Sequence, residues 1–400
     1  MHPNSPQEHV KFLIVGGGAA GITVAARLCR QGAEGQVAII EPSEKHYYQP
    51  LWTLVGAGVL PREQTERREA DYMPSGTAWI KDAVTEFDPD ANAVTLKSGR
   101  RVRYDFLIVA AGLQIDWGKV AGLRENIGKH GVCSNYGYDT VNSTWDAIRN
   151  FKGGDAVFTH PATPIKCGGA PQKIMYLAEE AFARQGVRGN TRVHFYSGEA
   201  AIFRVEKYAA ALTKVLERKQ IAPRFKHNLK EIRVNSREAI FDDQANNKEV
   251  VQRFDMIHVT PPQSSPDFIK KSPLAAASGF VDVDKATTRH VKYPNIFALG
   301  DCSSLPTSKT GAAVRKQAPV VVANVLAASR GSDAVSKYDG YSSCPLVTGY
   351  KSLILAEFDY DLKPCETFPF DQSKERYSMY LLKRYALPAM YWSGMLRGKA

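Results

Sequence analysis

The N-terminal part of the chain alternates apolar and glycine-rich stretches in an order that predicts strand, helix and strand. Val10–Val15 is a short apolar run that leads directly into GGGAAG at positions 16–21. Ala19–Gln31 is rich in alanine and leucine, as expected of a packed helix, and Val37–Glu41 is the next apolar run. The pattern predicts a βαβ unit whose first turn is built from glycine.

The spacing of Gly16, Gly18 and Gly21 is that of a dinucleotide-binding fingerprint, and Glu41 stands 20 residues beyond Gly21. Such glycines allow a tight turn and let backbone N–H groups approach a pyrophosphate, which the helix N-terminus also attracts. The alternative is a structural turn without a ligand. Strand, helix and acidic residue together favour the nucleotide site.

A second strand–helix–strand run lies in the middle of the chain and lacks this glycine spacing. It consists of Asp155–Thr159, Pro171–Gln185 and Arg192–Tyr196. Where a phosphate loop would join its first strand to its helix, the sequence is HPATPIKCGGAP, which contains Cys167. This unit is therefore predicted to present a thiol in place of a nucleotide site.

Shorter elements surround the two units. An antiparallel appendage is predicted at 78–87, 93–96 and 102–104, before an apolar strand at 106–110 that ends in Ala111-Gly112. A helix at 204–219, short strands at 224–227, 230–234, 238–241 and 255–260, and a strand and loop at 293–301 follow. The predicted fold class is α/β, with two Rossmann-like domains, one inserted in the other. Residues 10–120 and 285–337 form the outer domain, 121–284 the inserted domain, and 338–400 a C-terminal region.

Composition narrows the partners. The 52 Lys and Arg against 41 Asp and Glu give a net charge of +11, which favours anionic surfaces or substrates. The sequence contains no basic run interleaved with aromatic residues, the pattern that would indicate nucleic-acid binding. Six cysteines are too sparse for a disulfide scaffold, and the nine histidines form no metal-binding motif, so no metal is expected. The residues before Val10 resemble no leader, and no apolar run is long enough to span a membrane.

A polar loop follows the predicted strand that ends at Gly300. Asp301 stands where open α/β sheets bind ligands, and its carboxylate could accept hydrogen bonds from a polyol chain such as ribityl. Lys309 and Thr310 precede an apolar helix at 312–328, so positive charge would gather at that helix N-terminus. A solvated loop with a simple helix cap is the alternative.

Two cysteines are candidates for redox chemistry. Cys167 lies just before Pro171, at the start of a predicted helix and next to Lys166, a setting that lowers a thiol pKa. Cys344 lies in a loop-like stretch 177 residues away. Burial as a small hydrophobic side chain is the common fate of a lone cysteine, and the spacing does not show that the two meet.

The stretch 372–396, QSKERYSMYLLKRYALPAMYWSGML, combines aromatic and basic residues. Pro388 is expected to split it into two short amphipathic segments that suit a membrane interface rather than a membrane span. A C-terminal helix packed on the protein core is the alternative.

With these residues in view, the chain from Lys11 to Gly398 resembles the sulfide:quinone oxidoreductases, in particular the type II branch that includes the mitochondrial enzymes. The specific segments are EPSEKHYYQPLWTLVGAG, IKCGGAPQKIMYLAE, YPNIFALGDCSSLPTSKT, YDGYSSCPLVTGY, LAEFDY and ETFPFDQSKERYSMYL. These are flavoproteins with two dinucleotide-binding-type domains, of the disulfide-reductase kind. The outer domain is then the FAD-binding domain.

The resemblance implies bound FAD, with Val84 beside adenine and Cys133 at a place like the third cysteine of type I members. FAD is nonetheless expected to be noncovalent. The cofactor-binding residues that follow from the fingerprint and the resemblance are Gly16, Gly18, Ala19, Ala20, Gly21, Glu41, Pro42, Gln49, Val84, Ala111, Gly112, Gly300, Asp301, Lys309 and Thr310.

The resemblance also implies that Cys167 and Cys344 are the redox pair, joined at rest by a disulfide or a sulfur-lengthened bridge. HS⁻ would attack the Cys344 side and leave a persulfide there, and the sulfur anion on Cys167 would then reduce the flavin. Sulfite, glutathione, cyanide or a second sulfide would accept the sulfane sulfur. Ubiquinone would reoxidise the flavin, with Phe358, Phe368 and Phe370 as candidates for stacking it.

Peripheral attachment follows as an expectation, at the cytoplasmic face of a bacterial inner membrane or the matrix side of the mitochondrial inner membrane. A homo-oligomer is one option for the assembly state. Two other functions stay open. A type II NADH:quinone reductase would share the architecture, although only Glu199 after Tyr196 mimics its second nucleotide site. A flavin-binding redox sensor would use the cysteines as a switch.

Overall fold

The computed structural model describes residues 8–333 and 335–400. Residues 1–7, which the leader prediction concerns, and Ala334, within the 285–337 segment, lie outside the described residues. Within them, the first sheet has seven strands, and its centre is the apolar strand Glu8–Val15, parallel on both sides to its neighbours. The strands of this sheet are Glu8–Val15, Val37–Ile40, Thr77–Ile80, Val84–Asp88, Ala93–Leu96, Arg101–Val109 and Ile296–Ala298.

The predicted antiparallel appendage is partly wrong. Thr77–Ile80 pairs in parallel with Val37–Ile40 and so belongs to the main sheet. Residues 102–104 and 106–109 form one strand, Arg101–Val109, whose start pairs with Ala93–Leu96 and whose end pairs with Ile296–Ala298. The sequence pattern divided this strand because its first half alternates buried and exposed residues, whereas its second half is buried on both faces.

The chain leaves the first sheet after Val109 and returns to it at Ile296. The intervening segment contains a second, parallel sheet of five strands, in the order Val132–Cys133, Met256–His258, Gly154–His160, Thr191–Ser197 and Ile221–Phe225. Three antiparallel strands lie beside it: His227–Arg233, Glu238–Asp243 and Lys248–Arg253. The predicted α/β class with one Rossmann-like unit inside another is confirmed, and the exact domain limits stay a prediction.

Helices cover the sheets. The four helices predicted from the sequence lie close to their predicted bounds, whereas the helix Val141–Asn150 was not predicted. The α-helices of eight or more residues in the described chain are Ala19–Leu28, Val141–Asn150, Ala170–Arg184, Glu206–Arg218 and Gly311–Ala328. Shorter α-helices are Trp52–Gly56, Asp267–Lys270, Tyr377–Leu381 and Leu387–Ala389. No helix in this part of the chain is long and apolar enough to cross a bilayer.

The C-terminal region consists of a hairpin and a helical segment. The strands Ser342–Gly349 and Ser352–Phe358 pair antiparallel. Residues 377–397, here called the C-terminal helical segment, wind as a helix with wide turns on both sides of Pro388. The prediction that Pro388 splits this stretch is therefore wrong. The turns on both sides of it are of the i→i+5 kind, and proline, which has no N–H to donate, is accommodated between them.

One face of the C-terminal helical segment is buried against the first sheet's domain, as the core-packing alternative expected. The Tyr391 hydroxyl lies 2.5 Å from Nε2 of His46, and Nδ1 of His46 lies 2.8 Å from the Glu69 carboxylate. The ring of Trp392 packs against Tyr72. The opposite face leaves Tyr377, Leu381 and Tyr385 exposed, so the segment is both docked and amphipathic.

Replacing Tyr391→Phe should lower the free energy of unfolding by about 1–3 kcal/mol, because Nε2 of buried His46 loses its partner. The measurement is the urea midpoint with FAD in excess. The matched control is Tyr385→Phe, whose ring is 59% exposed and which should leave the midpoint unchanged. Equal midpoints for the two variants would show that the docking contact contributes nothing.

Candidate active site

The first glycine loop has the geometry of a phosphate cradle. Gly16 has φ +104°, and a Cβ there would lie 2.5 Å from the Ala110 carbonyl oxygen, so only glycine fits. Gly18 is exposed, and nothing lies within 4 Å of the position its Cβ would take. The helix that begins at Ala19 therefore presents free backbone N–H groups to an open face, which suits a pyrophosphate.

Glu41 is held beside this loop by backbone donors. Its carboxylate accepts hydrogen bonds from the Gly17 N–H at 2.8 Å and from the Ser43 N–H at 2.7 Å. Burial raises the pKa of Glu41, and those two bonds oppose the shift. Of the other two cofactor-binding candidates predicted near Glu41, Pro42 is exposed and Val84 is buried. Val84 lies in the same apolar cluster as Ile80, whose carbonyl accepts a hydrogen bond from the Glu41 N–H.

The Gly300 loop meets the first glycine loop. Gly300 has φ +70°, and a Cβ there would lie 3.3 Å from Cβ of Ala20. Burial raises the pKa of the Asp301 carboxyl, which nearby lysines partly offset. Ala111 and Gly112 follow the strand that ends at Val109, and Ala111 lies behind Gly16. The polar groups predicted to line a dinucleotide thus converge from separate parts of the chain.

Lys309 is placed at a helix N-terminus. Its Nζ donates to the carbonyls of Asp301 at 2.7 Å and Ser303 at 3.1 Å, and burial lowers its pKa. Thr310 caps the helix Gly311–Ala328, because its hydroxyl accepts from the Ala313 N–H at 3.1 Å. A fixed cation and a helix N-terminus at one point would stabilise negative charge on a bound ring.

The loop of residues 161–169, here called the cysteine loop, reaches from the second sheet to this point. The Cys167 N–H donates to the Lys309 carbonyl at 2.8 Å. The backbones of Lys166 and Lys309 thereby form an isolated parallel β-bridge. Cys167 has φ +56°, a left-handed conformation that non-glycine residues adopt at a cost. The contact with Lys309 and the turn into the helix Ala170–Arg184 hold it there.

The two candidate cysteines meet. Sγ of Cys167 lies 3.3 Å from Sγ of Cys344, which is fully buried in the strand Ser342–Gly349. A disulfide has a sulfur–sulfur distance of about 2.05 Å, so the structure holds two thiols within short reach of a bond. The chain folds 177 residues back on itself to make this contact.

The pair is electrically asymmetric. The contact with Cys344 and the Lys173 ammonium, 3.1 Å from its sulfur, hold the pKa of Cys167 well below the usual range. The hydrogen bond to Cys167 and burial raise the pKa of Cys344 well above it. The prediction that Lys166 is the activating cation is wrong, because its Nζ donates to the side-chain oxygen of Gln49 at 2.6 Å. Burial lowers the pKa of Lys166 to about 8.

Two lysines of this site were missed in the sequence. Lys173 lies on the predicted helix, six residues after Cys167, and helical geometry alone could have turned it toward the cysteine loop. Lys383 comes from the C-terminal helical segment, is 2% exposed, and donates from Nζ to the Pro50 carbonyl at 2.7 Å. Burial, reinforced by Lys173, lowers the pKa of Lys383 to about 7. No local signal in the sequence indicates that Lys383 reaches the cysteines.

The remaining candidates lie elsewhere. Cys133 is fully buried in the second sheet, its sulfur donates to the Ile257 carbonyl at 3.5 Å, and burial raises its pKa to about 12. Phe358 faces the hairpin partner Ser342 across the strands. Phe368 and Phe370 stack on each other with ring centres 5.3 Å apart. The three phenylalanines belong to the same C-terminal region as Cys344.

The residues present fit a flavin dinucleotide. The glycine loop leaves an open cradle, the Glu41 carboxylate is fixed at the end of its strand, and the Lys309 loop closes the other end. A two-electron thiol pair then stands against that loop. Fold and site together define a flavoprotein oxidoreductase with two Rossmann-like domains and a thiol pair.

Comparison with known proteins narrows this class. Residues 10–138 match the family model described as pyridine nucleotide-disulphide oxidoreductase. The chain is 49% identical over 392 residues to a mitochondrial sulfide:quinone oxidoreductase of Dictyostelium discoideum, covering 97% of this chain and 86% of that protein. It is 48% identical over 394 residues to the mouse protein of the same name, covering 98% and 87%.

Among solved structures, the sulfide:quinone oxidoreductase of Aquifex aeolicus superposes with a TM-score of 0.82 at 18% identity, covering 98% of this chain and 92% of that one. That likeness shows the shared fold. The two close relatives show more: this chain belongs to the sulfide:quinone oxidoreductase family and is an FAD-dependent oxidoreductase.

Replacing Lys173→Met should move the pH midpoint for alkylation of Cys167 by iodoacetamide to higher pH. The thiolate is the reacting form, and the Lys173 ammonium stabilises it, so removing that charge raises the thiol pKa and slows alkylation at neutral pH. Labelling of the Cys167 peptide in reduced enzyme gives the rate. The control is Lys374→Met, an exposed lysine. A Lys173→Met profile that overlays wild type would contradict the assigned electrostatics.

Proposed function

We propose that this protein oxidises sulfide at the Cys167–Cys344 pair and passes the electrons through FAD to a quinone. The observation that carries the proposal is the 3.3 Å approach of the two sulfurs, next to the Lys309 loop and the Lys173 ammonium. A thiol pair so placed can exchange sulfur on one side and deliver electrons on the other. The names of the close relatives agree with this chemistry.

FAD, held by the glycine loop, Glu41 and the Gly300–Thr310 segment, supplies a two-electron acceptor that can be reoxidised by a quinone. The chain's own residues prepare the other half of the reaction. Lys309 places a buried cation beside the cysteine loop, where reduction adds negative charge. Cys133 is buried in the second sheet, and burial raises the pKa of its thiol to about 12. A thiol that stays protonated is a poor nucleophile, which supports noncovalent attachment of FAD.

The first step requires the pair in its oxidised form, with a bond between Cys167 and Cys344. HS⁻ attacks Sγ of Cys344: the bond between the cysteines breaks, a new bond to the incoming sulfur forms, and the electron pair leaves on Cys167 as a thiolate. The products are a Cys344 persulfide and a Cys167 thiolate. Lys173 stabilises that thiolate from 3.1 Å.

Access and leaving-group ability point to different sulfurs. Cys167 is partly exposed and Cys344 is fully buried, so access alone would direct HS⁻ to Cys167. The lower pKa of Cys167 makes it the better leaving group and directs attack to Cys344. We assign the persulfide to Cys344 on that ground. The Lys173 ammonium, whose pKa the nearby sulfurs raise in spite of burial, draws the anion inward.

An acceptor nucleophile then removes the outer sulfur of the persulfide. Sulfite, glutathione, cyanide and a second sulfide each have the required lone pair, and each leaves Cys344 as a thiolate. Transfer of one electron pair from the two cysteine sulfurs to bound FAD would re-form their bond and complete the cycle. The resting bridge is a disulfide, or a trisulfide if one sulfane sulfur is retained.

We place the quinone beside the aromatic residues of the C-terminal region. Phe358 lies in the same strand as Ala356, the cross-strand partner of Cys344. The rings of Phe368 and Phe370 stack on each other, and the Arg376 guanidinium lies over the Phe370 ring, 4.3 Å from its centre. Such flat apolar surfaces suit a quinone ring. Ubiquinone is the proposed acceptor.

We further propose peripheral attachment to a membrane through the C-terminal helical segment. Tyr377, Leu381 and Tyr385 recur every fourth residue and form an exposed stripe. The segment's other face is anchored to the protein, so the stripe can enter the interface without unfolding. The proposed location is the cytoplasmic face of a bacterial inner membrane or the matrix side of the mitochondrial inner membrane.

Anaerobic titration tests the proposed reaction. Sulfide should bleach the flavin absorbance and added quinone should restore it, whereas NADH should leave the flavin oxidised, because the cysteine loop occupies the place of a second phosphate loop. Cys167→Ser should abolish bleaching. Reduction by NADH, or persistent sulfide-driven quinone reduction in Cys167→Ser, would support the reductase or the sensor instead.

A matched glycine pair tests the geometry. A Cβ at Gly169 would lie 2.3 Å from a Leu346 methyl and 3.1 Å from Sγ of Cys344, whereas a Cβ at Gly168 meets nothing within 4 Å. Gly169→Ala should therefore slow sulfide-dependent flavin reduction by roughly ten- to a hundredfold. Gly168→Ala should keep the wild-type rate. Equal rates would show that the position of Cys344 does not limit the reaction.

A further inference from the structure

A cavity with a volume of about 450 Å³ opens on the surface beside the C-terminal helical segment. Five parts of the fold supply its walls: residues 57–59, Trp145 of the helix Val141–Asn150, the end of the helix Ala170–Arg184, the hairpin turn at 350–351, and the turn carrying Tyr380 and Arg384. Its lining combines aromatic rings with cations. The residues that matter here are Val59, Trp145, Arg184, Tyr350, Lys351 and Arg384.

This cavity is separate from the sulfur site. The cysteine loop precedes the first turn of the helix Ala170–Arg184, and Arg184 is its last residue, so the helix length of about 22 Å lies between them. Cys344 lies within one strand of the hairpin, and Tyr350 and Lys351 lie at its turn. A molecule in this cavity cannot contact the thiol pair or the glycine loops.

The cavity carries excess positive charge. The Arg184 guanidinium pairs with Glu180 at 2.5 Å and stacks on the Tyr350 ring at 4.2 Å, so its charge is already matched. Arg384 and Lys351 have no carboxylate within 4.0 Å among the ion pairs of the described chain. Two uncompensated cations therefore face one pocket.

Rigid surroundings hold these groups. The Tyr350 hydroxyl donates to the Ala57 carbonyl at 2.8 Å, and its backbone N–H donates to Glu180 at 2.8 Å. Trp145 fills the space over Gly58, where a Cβ would lie 2.4 Å from the indole. Arg384 lies beside the hydroxyl of Tyr380, whose pKa burial raises and Arg384 lowers. The cavity is thus formed before any ligand binds.

The cavity adjoins the exposed stripe of the C-terminal helical segment. Tyr380 and Arg384 line it, and their sequence neighbours Leu381 and Tyr385 are exposed members of the stripe. If the stripe enters a bilayer, the cavity mouth stands at the level of the lipid headgroups. Anionic headgroups present a phosphodiester to basic side chains at that level.

We propose that this cavity binds the phosphate group of an anionic phospholipid, with Arg384 and Lys351 as its ligands. The inference rests on the proposed membrane attachment and adds the lipid class that the attached protein selects. The same cations would also bind free phosphate from solution. The experiment must therefore distinguish a lipid phosphate from a free one.

The test is co-sedimentation of holoenzyme with phosphatidylcholine vesicles, with and without phosphatidylglycerol. Wild type should prefer the anionic vesicles. Arg384→Gln should reduce that preference about fivefold, the usual effect of one basic residue near a charged membrane. Val59→Trp changes no charge but fills the cavity, and it should reduce the preference by a similar factor. The control is Lys248→Gln, an exposed lysine on a distant strand, which should behave as wild type.

Each other outcome overturns the proposal. Val59→Trp equal to wild type, with Arg384→Gln impaired, would mean diffuse surface charge rather than a pocket. Saturable quenching of Trp145 fluorescence by inorganic phosphate, without any vesicle preference, would mean a site for a free anion. Sulfide-dependent flavin reduction serves as the folding check and should be unchanged in both variants. If wild type bound no vesicle while sulfide-dependent flavin reduction was intact, the result would contradict the membrane attachment but not the sulfur chemistry.

Discussion

The backbone contact between Cys167 and Lys309 is the constraint on which the rest of the site depends. It joins a loop of the second sheet to the segment that caps a helix of the first domain. Together with the turn into the helix Ala170–Arg184, it holds the left-handed backbone of Cys167, a conformation that is unfavourable for a side chain with a Cβ. With it, the thiol is fixed against the Lys309 loop, and the strand carrying Cys344 completes the pair at 3.3 Å. Two domains and the C-terminal hairpin thus meet at one sulfur atom.

The second feature is the number of buried ammonium groups that this arrangement tolerates. Lys173 and Lys383 are 3% and 2% exposed, and burial together with the charge of Lys173 lowers the pKa of Lys383. Burying like charges together is costly unless anions accompany them. The thiolate of Cys167 supplies one such charge. Burial acts to lower the pKa of Lys173, but the nearby sulfurs outweigh burial, so that the pKa is raised. An entering HS⁻ would supply another, so the site favours the substrate that the reaction needs.

Sequence reasoning predicted the parts whose determinants are local. The glycine loop, Glu41 and the helix after the cysteine loop each depend on short spacings, and each lies where expected. It failed where a partner comes from a distant segment. Lys166, adjacent to Cys167, was expected to activate the thiol, but its side chain turns to Gln49, and Lys173 takes the role. Lys383 depends on how the last helix docks through Tyr391 and His46, which no local pattern encodes. Pro388 misled because wide helical turns accommodate it.

The proposed reaction requires Cys167 and Cys344 to act as one redox unit. The most direct measurement is mass spectrometry of the oxidised holoenzyme, digested without reductant, before and after stoichiometric sulfide under anaerobic conditions. The oxidised holoenzyme should yield one peptide pair joined through the two cysteines by two or three sulfurs. After sulfide, that link should be gone, with one additional sulfur on the Cys344 peptide and, where the bridge held three sulfurs, one on the Cys167 peptide as well. Recovery of both cysteines as unlinked thiols in enzyme that still transfers electrons from sulfide to quinone would contradict it.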